Sequence, residues 1–240
     1  MSADLIEMWH RRTHLDLFSG IGGFALAAQW AGFETVAFCE IEDFPRKVLE
    51  KNFPGVPIHR DIRDLDGEEY AGIDLITGGY PCQPFSTLGK RAGENDTNHL
   101  WPEMRRVIRQ ARPTWVVAEN VAGHISMGLD DVLDDLEDIG YSARAVVIPA
   151  VAVGANHRRM RVWIVANSTE LGLGDNIQEQ GYNAPAHFWG KWEEWEIKPT
   201  IFGENDGIPN RVDRIKGLGN AIVPQVAYEI LRHLPAVYNA

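Results

Sequence analysis

A chain of 240 residues, 45% hydrophobic and 24% charged, has the material of an ordinary globular α/β domain with an appendage. No window approaches the ~18 consecutive apolar residues of a membrane helix, and Met1-Ser2-Ala3-Asp4 does not open a basic-then-apolar leader, so neither a membrane span nor export is expected. A net charge of -11 argues against a chain coated in nucleic acid, yet residues 80–166 hold 10 Lys and Arg against 10 Asp and Glu, which leaves room for a locally basic cleft.

In chain order, Thr13 to Phe18 predicts a first strand running into the glycines Gly20, Gly22 and Gly23. A helix follows through Phe24 to Ala28 and stops near Gly32. Thr35 to Cys39 predicts a second strand with Glu40 just past its end. Ile73 to Thr77 predicts a third core strand that leads into Gly78-Gly79-Tyr80-Pro81-Cys82. Trp115 to Ala118 predicts another, ending at Glu119, and the acidic run Asp130 to Asp138 reads as a solvated helix face. Arg161 to Val165 predicts a late strand, and Gln225 to Leu234 a terminal amphipathic helix after Pro224. The alternation of apolar runs with amphipathic stretches predicts an α/β fold with a Rossmann-like, mostly parallel sheet. Composition changes near Asn167, which divides the chain into a catalytic domain over 1–166, a small inserted lobe over 167–210 and a returning segment over 211–240. Trp189, Trp192 and Trp195 lie in that lobe, where they either staple it to the core or offer a stacking face.

Glycines directly after a first strand let a ligand approach the backbone, and an acid at the end of the second strand is placed for ribose hydroxyls. Gly20-Ile21-Gly22-Gly23 lacks the spaced dinucleotide pattern, and no phosphate-binding Lys-Ser/Thr follows, which weakens nicotinamide and nucleoside-triphosphate readings. Of the two cysteines, Cys39 falls inside a strand and reads as an inert core thiol, whereas Cys82 falls between two prolines at a strand's carboxyl end. Glu119 ends a neighbouring strand, and Arg159 and Arg161 precede another. A thiol, a carboxyl and a guanidinium at one sheet edge suit a nucleophile, a proton donor and an anion holder. Two cysteines and eight histidines show no disulfide framework and no metal spacing, so no metal is expected and a reducing cytoplasm is.

These segments, taken together, resemble the cytosine carbon-5 DNA methyltransferases, and they occur in that family's order. Asp16-Leu17-Phe18-Ser19-Gly20-Ile21-Gly22-Gly23-Phe24 is similar to its cofactor loop, and Gly79-Tyr80-Pro81-Cys82-Gln83-Pro84-Phe85-Ser86 to its nucleophile loop. Glu119-Asn120-Val121 resembles its glutamate motif, His157-Arg158-Arg159-Met160-Arg161 its paired arginines, and Leu218 to Pro224 its closing motif. The resemblance implies the S-adenosylmethionine-dependent methyltransferase fold and S-adenosyl-L-methionine as cofactor. It places Phe18, Gly20, Gly22 and Gly23 in the first cofactor loop, with Glu40, Ile41, Asp61 and Ile62 at the ribose and adenine. Gly79, Pro81, Leu100, Asn220 and Ala221 complete that set.

For catalysis it implies Cys82 as nucleophile, Glu119 as proton donor and Arg161 as holder of the base's carbonyl, with Arg159 gripping a backbone phosphate. Tyr80, Gln83, Ser86, Lys90 and Arg91 are implied on the DNA side, as are Arg159, Arg211 and Arg214. Residues Thr87 to His99 are expected to close over a flipped cytosine. The implied partner is double-stranded DNA, met by a monomer, with a cognate restriction enzyme as an admissible companion. The short lobe, with Arg211-Val212-Asp213-Arg214-Ile215-Lys216 where the family has an Arg-x-Leu-Thr start, resembles a compact, phage-type branch and implies a short target. Asn156 and His157 stand where Pro and Gln are common. Structured RNA as the substrate, and a regulator that binds cofactor without turnover, are the competing readings.

Overall fold

The computed structural model describes residues 12–81, 100–169 and 220–235. Its elements are β1 (Arg12–Leu17), α1 (Gly23–Trp30), β2 (Phe33–Cys39), α2 (Asp43–Asn52), β3 (Ile58–His59), β4 (Leu75–Gly78), α3 (Trp101–Ala111), β5 (Trp115–Val121), α4 (Leu129–Asp138), β6 (Tyr141–Pro149), β7 (Met160–Ser168) and α5 (Pro224–Leu231). The seven strands form one sheet in the order β3-β2-β1-β4-β5-β7-β6. Every pairing from β3 to β5 is parallel, and β7 runs antiparallel to both β5 and β6. This is the Rossmann-like, mostly parallel sheet that the sequence predicts.

Both faces of the central strands are covered, so β4 opens on the apolar pair Leu75-Ile76 and β5 on the apolar run Trp115 to Ala118, while β1 alternates Leu15 and Leu17 with the buried polar residues His14 and Asp16. On one face α1 and α5 pack through Phe24, Ala27, Val226 and Leu231 onto Leu75, Val117 and Trp163. Phe24 and Trp163 meet edge to face with centroids 5.8 Å apart. On the other face α3 and α4 set Met104, Val107, Ile108 and Leu136 against Leu15, Leu17, Ile76 and Val116. The acidic run does form a helix, but Leu129, Val132 and Leu136 give α4 a buried side opposite its carboxylates.

One polar seam crosses the sheet. His14 lies 2.9 Å from Thr35 Oγ1 and 2.7 Å from Thr77 Oγ1, and the Thr77 hydroxyl donates to Asp16 Oδ1 at 2.8 Å. Burial lowers the His14 imidazole to about 3, so it is neutral at physiological pH, and burial pushes the Asp16 carboxyl well above its ordinary range. Cross-strand bonds among β2, β1 and β4 therefore hold the strands whose ends carry the site.

Several boundaries differ from the sequence reading. β5 does not end at Ala118 but continues to Val121, because Glu119, Asn120 and Val121 still pair with Trp163, Val162 and Arg161 of β7. β7 runs to Ser168, past the residue at which the composition changes. β6 is an edge strand whose central residues are exposed, so it shows no alternation from which to read it. The remainder of the lobe 167–210, with Trp189, Trp192 and Trp195, and the stretch Thr87 to His99 lie outside the described residues.

Gly22 precedes α1 with φ +88, and a Cβ there would fall 2.7 Å from the Phe53 ring. Gly22→Ala should therefore meet both backbone strain and overpacking and destabilise the fold by about 1–3 kcal/mol. A lowered urea midpoint with unchanged slope would register it, and an unchanged midpoint would contradict the packing described.

Candidate active site

The strand order reverses between β1 and β4, and crevices for ligands open at the carboxyl ends of strands at such a point. A cavity of about 360 Å³ lies there. Because β7 is antiparallel, its beginning reaches the same sheet edge as the ends of β1, β2, β4 and β5. That topology brings Arg159 and Arg161 beside Glu119.

Phe18 and Gly20, just past β1, line the cavity together with Glu40, Ile41, Asp61 and Ile62. Phe18 takes φ +52, a left-handed conformation uncommon for a side-chain-bearing residue, and this turns the chain off β1. Ser19 fastens the turn by donating from its hydroxyl to the Asp16 carbonyl at 2.6 Å. Glu40 then bridges two segments: Oε2 accepts from Gly20 N at 2.7 Å and Oε1 from Glu42 N at 2.8 Å. Burial raises the Glu40 carboxyl, while those two amides and Arg46 pull it back. Asp61 is the reverse case, with its carboxyl lowered chiefly by a hydrogen bond from Arg63, whose Nε lies 2.9 Å from Oδ1. Carboxylates at Glu40, Glu42 and Asp61 favour a ligand offering hydroxyl and amine donors, and they disfavour one carrying phosphates.

At the other end of the cavity stand Gly79, Pro81, Leu100, Glu119, Arg159, Arg161 and Asn220. Glu119 is 8% exposed, and Arg161 Nε sits 2.8 Å from its Oε1. The two side chains thus form an ion pair at the edge of the cavity. Burial raises the Glu119 carboxyl above its ordinary range, and the charges of Arg161 and Arg159 offset only part of that. Arg159 has φ +29 and donates from Nη2 to the Ala221 carbonyl at 2.7 Å, tying the paired arginines to the closing segment.

Of the residues named from sequence, the cavity gathers all those just given. Three cofactor assignments fall elsewhere. Gly22 packs on Phe53, Gly23 would bring a Cβ within 2.7 Å of Ile222, and Ala221 meets Arg159 through its carbonyl; none of the three lines the cavity. The absence of a side chain at Gly22 and Gly23 serves close packing at the start of α1. Tyr80 also borders the cavity, but its side chain is 3% exposed and its hydroxyl lies 2.7 Å from His124 Nε2. Cys39 is the inert thiol expected, pushed up to about 12 first by burial and then by the Glu40 charge. Cys82, Gln83, Ser86, Lys90, Arg91, Arg211 and Arg214 lie outside the described residues. The sequence reading passed over Glu42, Pro45 and Val121, which also border the cavity, and Asn120, whose Nδ2 donates to the Tyr80 carbonyl at 3.1 Å. Asn120 stood inside a recognised motif, and only the neighbouring charge drew attention away from it.

The model of the C-5 cytosine-specific DNA methylase family matches residues 13–200. Among curated relatives, the type II methyltransferase M.NgoMIV of Neisseria gonorrhoeae is 36% identical over 163 residues, which cover 66% of this chain and 52% of that protein. M.HhaI of Haemophilus parahaemolyticus is 31% identical over 176 residues, covering 71% of this chain and 52% of the relative. The chain thus spans about half the length of each. A solved structure of a DNMT2 mutant from Spodoptera frugiperda matches with TM-score 0.58 and 26% identity, over 67% of this chain and 51% of that one. A putative DNA modification methyltransferase encoded within an Escherichia coli prophage matches with TM-score 0.57 and 26% identity, over 67% and 47%. With a family model over most of its length and a site built at the edge where that fold binds ligands, the chain belongs to the C-5 cytosine-specific DNA methylases.

Proposed function

We propose that the protein transfers a methyl group from S-adenosyl-L-methionine to carbon 5 of a cytosine in duplex DNA, with Cys82 as the covalent nucleophile. The observation that carries this reading is the buried Glu119 carboxyl, raised by burial and paired with Arg161, at one end of a cavity whose other end is acidic. The donor set fits the cofactor. Glu40 and Asp61 can accept from ribose hydroxyls and the adenine amine, and the described residues of the site include no glycine-lysine cradle for phosphates. When bound, S-adenosylmethionine supplies an electrophilic methyl group.

The chain's residues have the remaining work. Carbon 5 of cytosine is too electron-poor to attack a methyl group unaided. The Cys82 thiolate adds to carbon 6, forming an S–C bond, while Glu119 gives its proton to ring nitrogen 3. Arg161 stabilises the carbonyl oxygen as charge grows there, and carbon 5 becomes an enamine carbon able to take the methyl group. Loss of the proton on carbon 5 then expels the Cys82 thiolate and restores the aromatic ring, and nitrogen 3 returns its proton to Glu119. Carbon 6 is shielded within a stacked duplex, so the base must leave the helix, at a cost of about a few kcal/mol. Arg159, with Arg211 and Arg214, is assigned to backbone phosphates. The small lobe 167–210 is assigned to recognition of a short target by a monomer, with or without a cognate restriction enzyme.

Incubating purified protein with methyl-labelled S-adenosylmethionine and either duplex DNA or tRNA tests the reading. Label recovered as 5-methyldeoxycytidine from DNA is expected; label confined to tRNA, or none, contradicts it. For the cofactor end, Glu40→Ala removes a charge-assisted hydrogen bond worth about 1.5–3 kcal/mol, so cofactor affinity should fall by roughly ten- to a hundredfold. Titration calorimetry giving parental affinity would remove Glu40 from the site.

A further inference from the structure

We infer that His124, acting through Tyr80, is a positioning residue that holds the nucleophile loop in register with Glu119. The inference rests on the reading of Cys82 as nucleophile. Tyr80 is the last buried residue before Pro81 and Cys82, and three groups grip it. Its hydroxyl lies 2.7 Å from His124 Nε2, in a hydrogen bond whose direction follows the imidazole tautomer. Its carbonyl accepts from Asn120 Nδ2 at 3.1 Å. Its ring meets that of Trp101 with centroids 5.1 Å apart, and Trp101 is itself fixed by donating from Nε1 to Asp135 Oδ2 at 2.7 Å.

Two of these partners, Asn120 and His124, follow Glu119 directly in the chain, on the end of β5 and the 3₁₀ turn Ala122–Ser126. One short segment therefore carries the proton donor and also clamps the main chain two residues before the thiol. A phenyl ring would fill the same apolar space against Trp101 and leave buried His124 without this hydrogen bond. The hydroxyl and the imidazole are both buried, so each needs a partner, and their bond fixes the rotation of Tyr80 as packing alone does not. A displacement of Tyr80 passes to Cys82 through only two peptide links, and an attacking atom misplaced by about 1 Å can slow reaction by about a hundredfold.

The test compares Tyr80→Phe, His124→Ala and His124→Gln with the parent, using duplex DNA and S-adenosylmethionine, with cofactor affinity and thermal midpoint measured alongside. Expected is a kcat about ten- to a hundredfold lower for Tyr80→Phe and His124→Ala, with the KM for DNA and cofactor affinity close to parental. Partial rescue is expected in His124→Gln, whose amide can restore the bond. Tyr80→Phe should be no worse when combined with His124→Ala, since both remove the same bond. Parental turnover by Tyr80→Phe would overturn the inference, and so would losses that follow cofactor affinity or folded fraction. A parent that makes no 5-methylcytosine would overturn the reading beneath it, a result distinct from active parent and active variants.

Discussion

Replacing Cys82 by alanine is expected to abolish methylation and to leave S-adenosylmethionine affinity essentially unchanged. The loss is expected to be complete because the chain's one other thiol is unsuited to add to carbon 6. The chain's only other cysteine, Cys39, is buried, and its thiol is pushed up to about 12, so almost none is thiolate at neutral pH. Affinity should survive because the residues proposed to hold ribose and adenine, Phe18, Glu40, Asp61 and Ile62, come from other segments of the chain. Single-turnover methylation together with calorimetry reads both parts. Residual methylation above background would mean that carbon 5 is activated without the thiol, and a collapse in cofactor affinity would mean that Cys82 is structural.

Glu119→Gln is expected to lower kcat by about 10²- to 10⁴-fold, the usual worth of a positioned general acid, with smaller changes in binding. Glutamine keeps the shape and can donate a hydrogen bond to nitrogen 3, but it has no proton to transfer. The pH dependence follows from the direction of the shift. Burial raises the carboxyl, so the protonated form persists above the ordinary carboxylate range, and it is this form that the proposed mechanism requires. Activity should thus hold below the raised value and fall as pH increases through it. The falling alkaline limb belongs to Glu119, opposed by the nearby Arg161 and Arg159 charges that pull its value down. Arg161→Ala removes the larger of the two opposing charges and should move that limb to higher pH. A kcat/KM profile with the limb unmoved in Arg161→Ala would contradict the assignment, as would parental kcat in Glu119→Gln.

The strands that position the site were legible because each concentrates buried apolar residues over a few positions, Leu15 and Leu17 in β1 and Leu75 and Ile76 in β4 among them. β1, β2, β4, β5 and β7 all stand where such residues cluster. β6 was not, since an edge strand with exposed Val146 and Val147 carries neither an apolar run nor an alternation. Helix α2 buries only Pro45 and Leu49, too few positions to write a helical period. Within the site, charge and motif order pointed to Glu40, Glu119 and Arg161, which do border one cavity. The glycines were harder to divide. A glycine after a strand can admit a ligand, as at Gly20, or admit a neighbouring side chain, as at Gly22 and Gly23, and spacing alone does not distinguish them. Tyr80 fell to a similar ambiguity, because a motif names a residue without saying which way its hydroxyl turns. His124 carried no sequence signal at all; its part depends on a contact across 44 positions.

The central claim is that Cys82 forms a bond to the target base, and mass spectrometry of a trapped complex tests it most directly. Duplex DNA containing 5-fluorocytosine, incubated with the protein and S-adenosylmethionine, replaces the departing proton on carbon 5 with fluorine, which cannot leave in its place. The adduct should therefore accumulate. Digestion is expected to yield one peptide, containing Cys82, that carries the methylated fluoropyrimidine on sulfur. An adduct on Cys39, or methylated product formed with no adduct, would contradict the account.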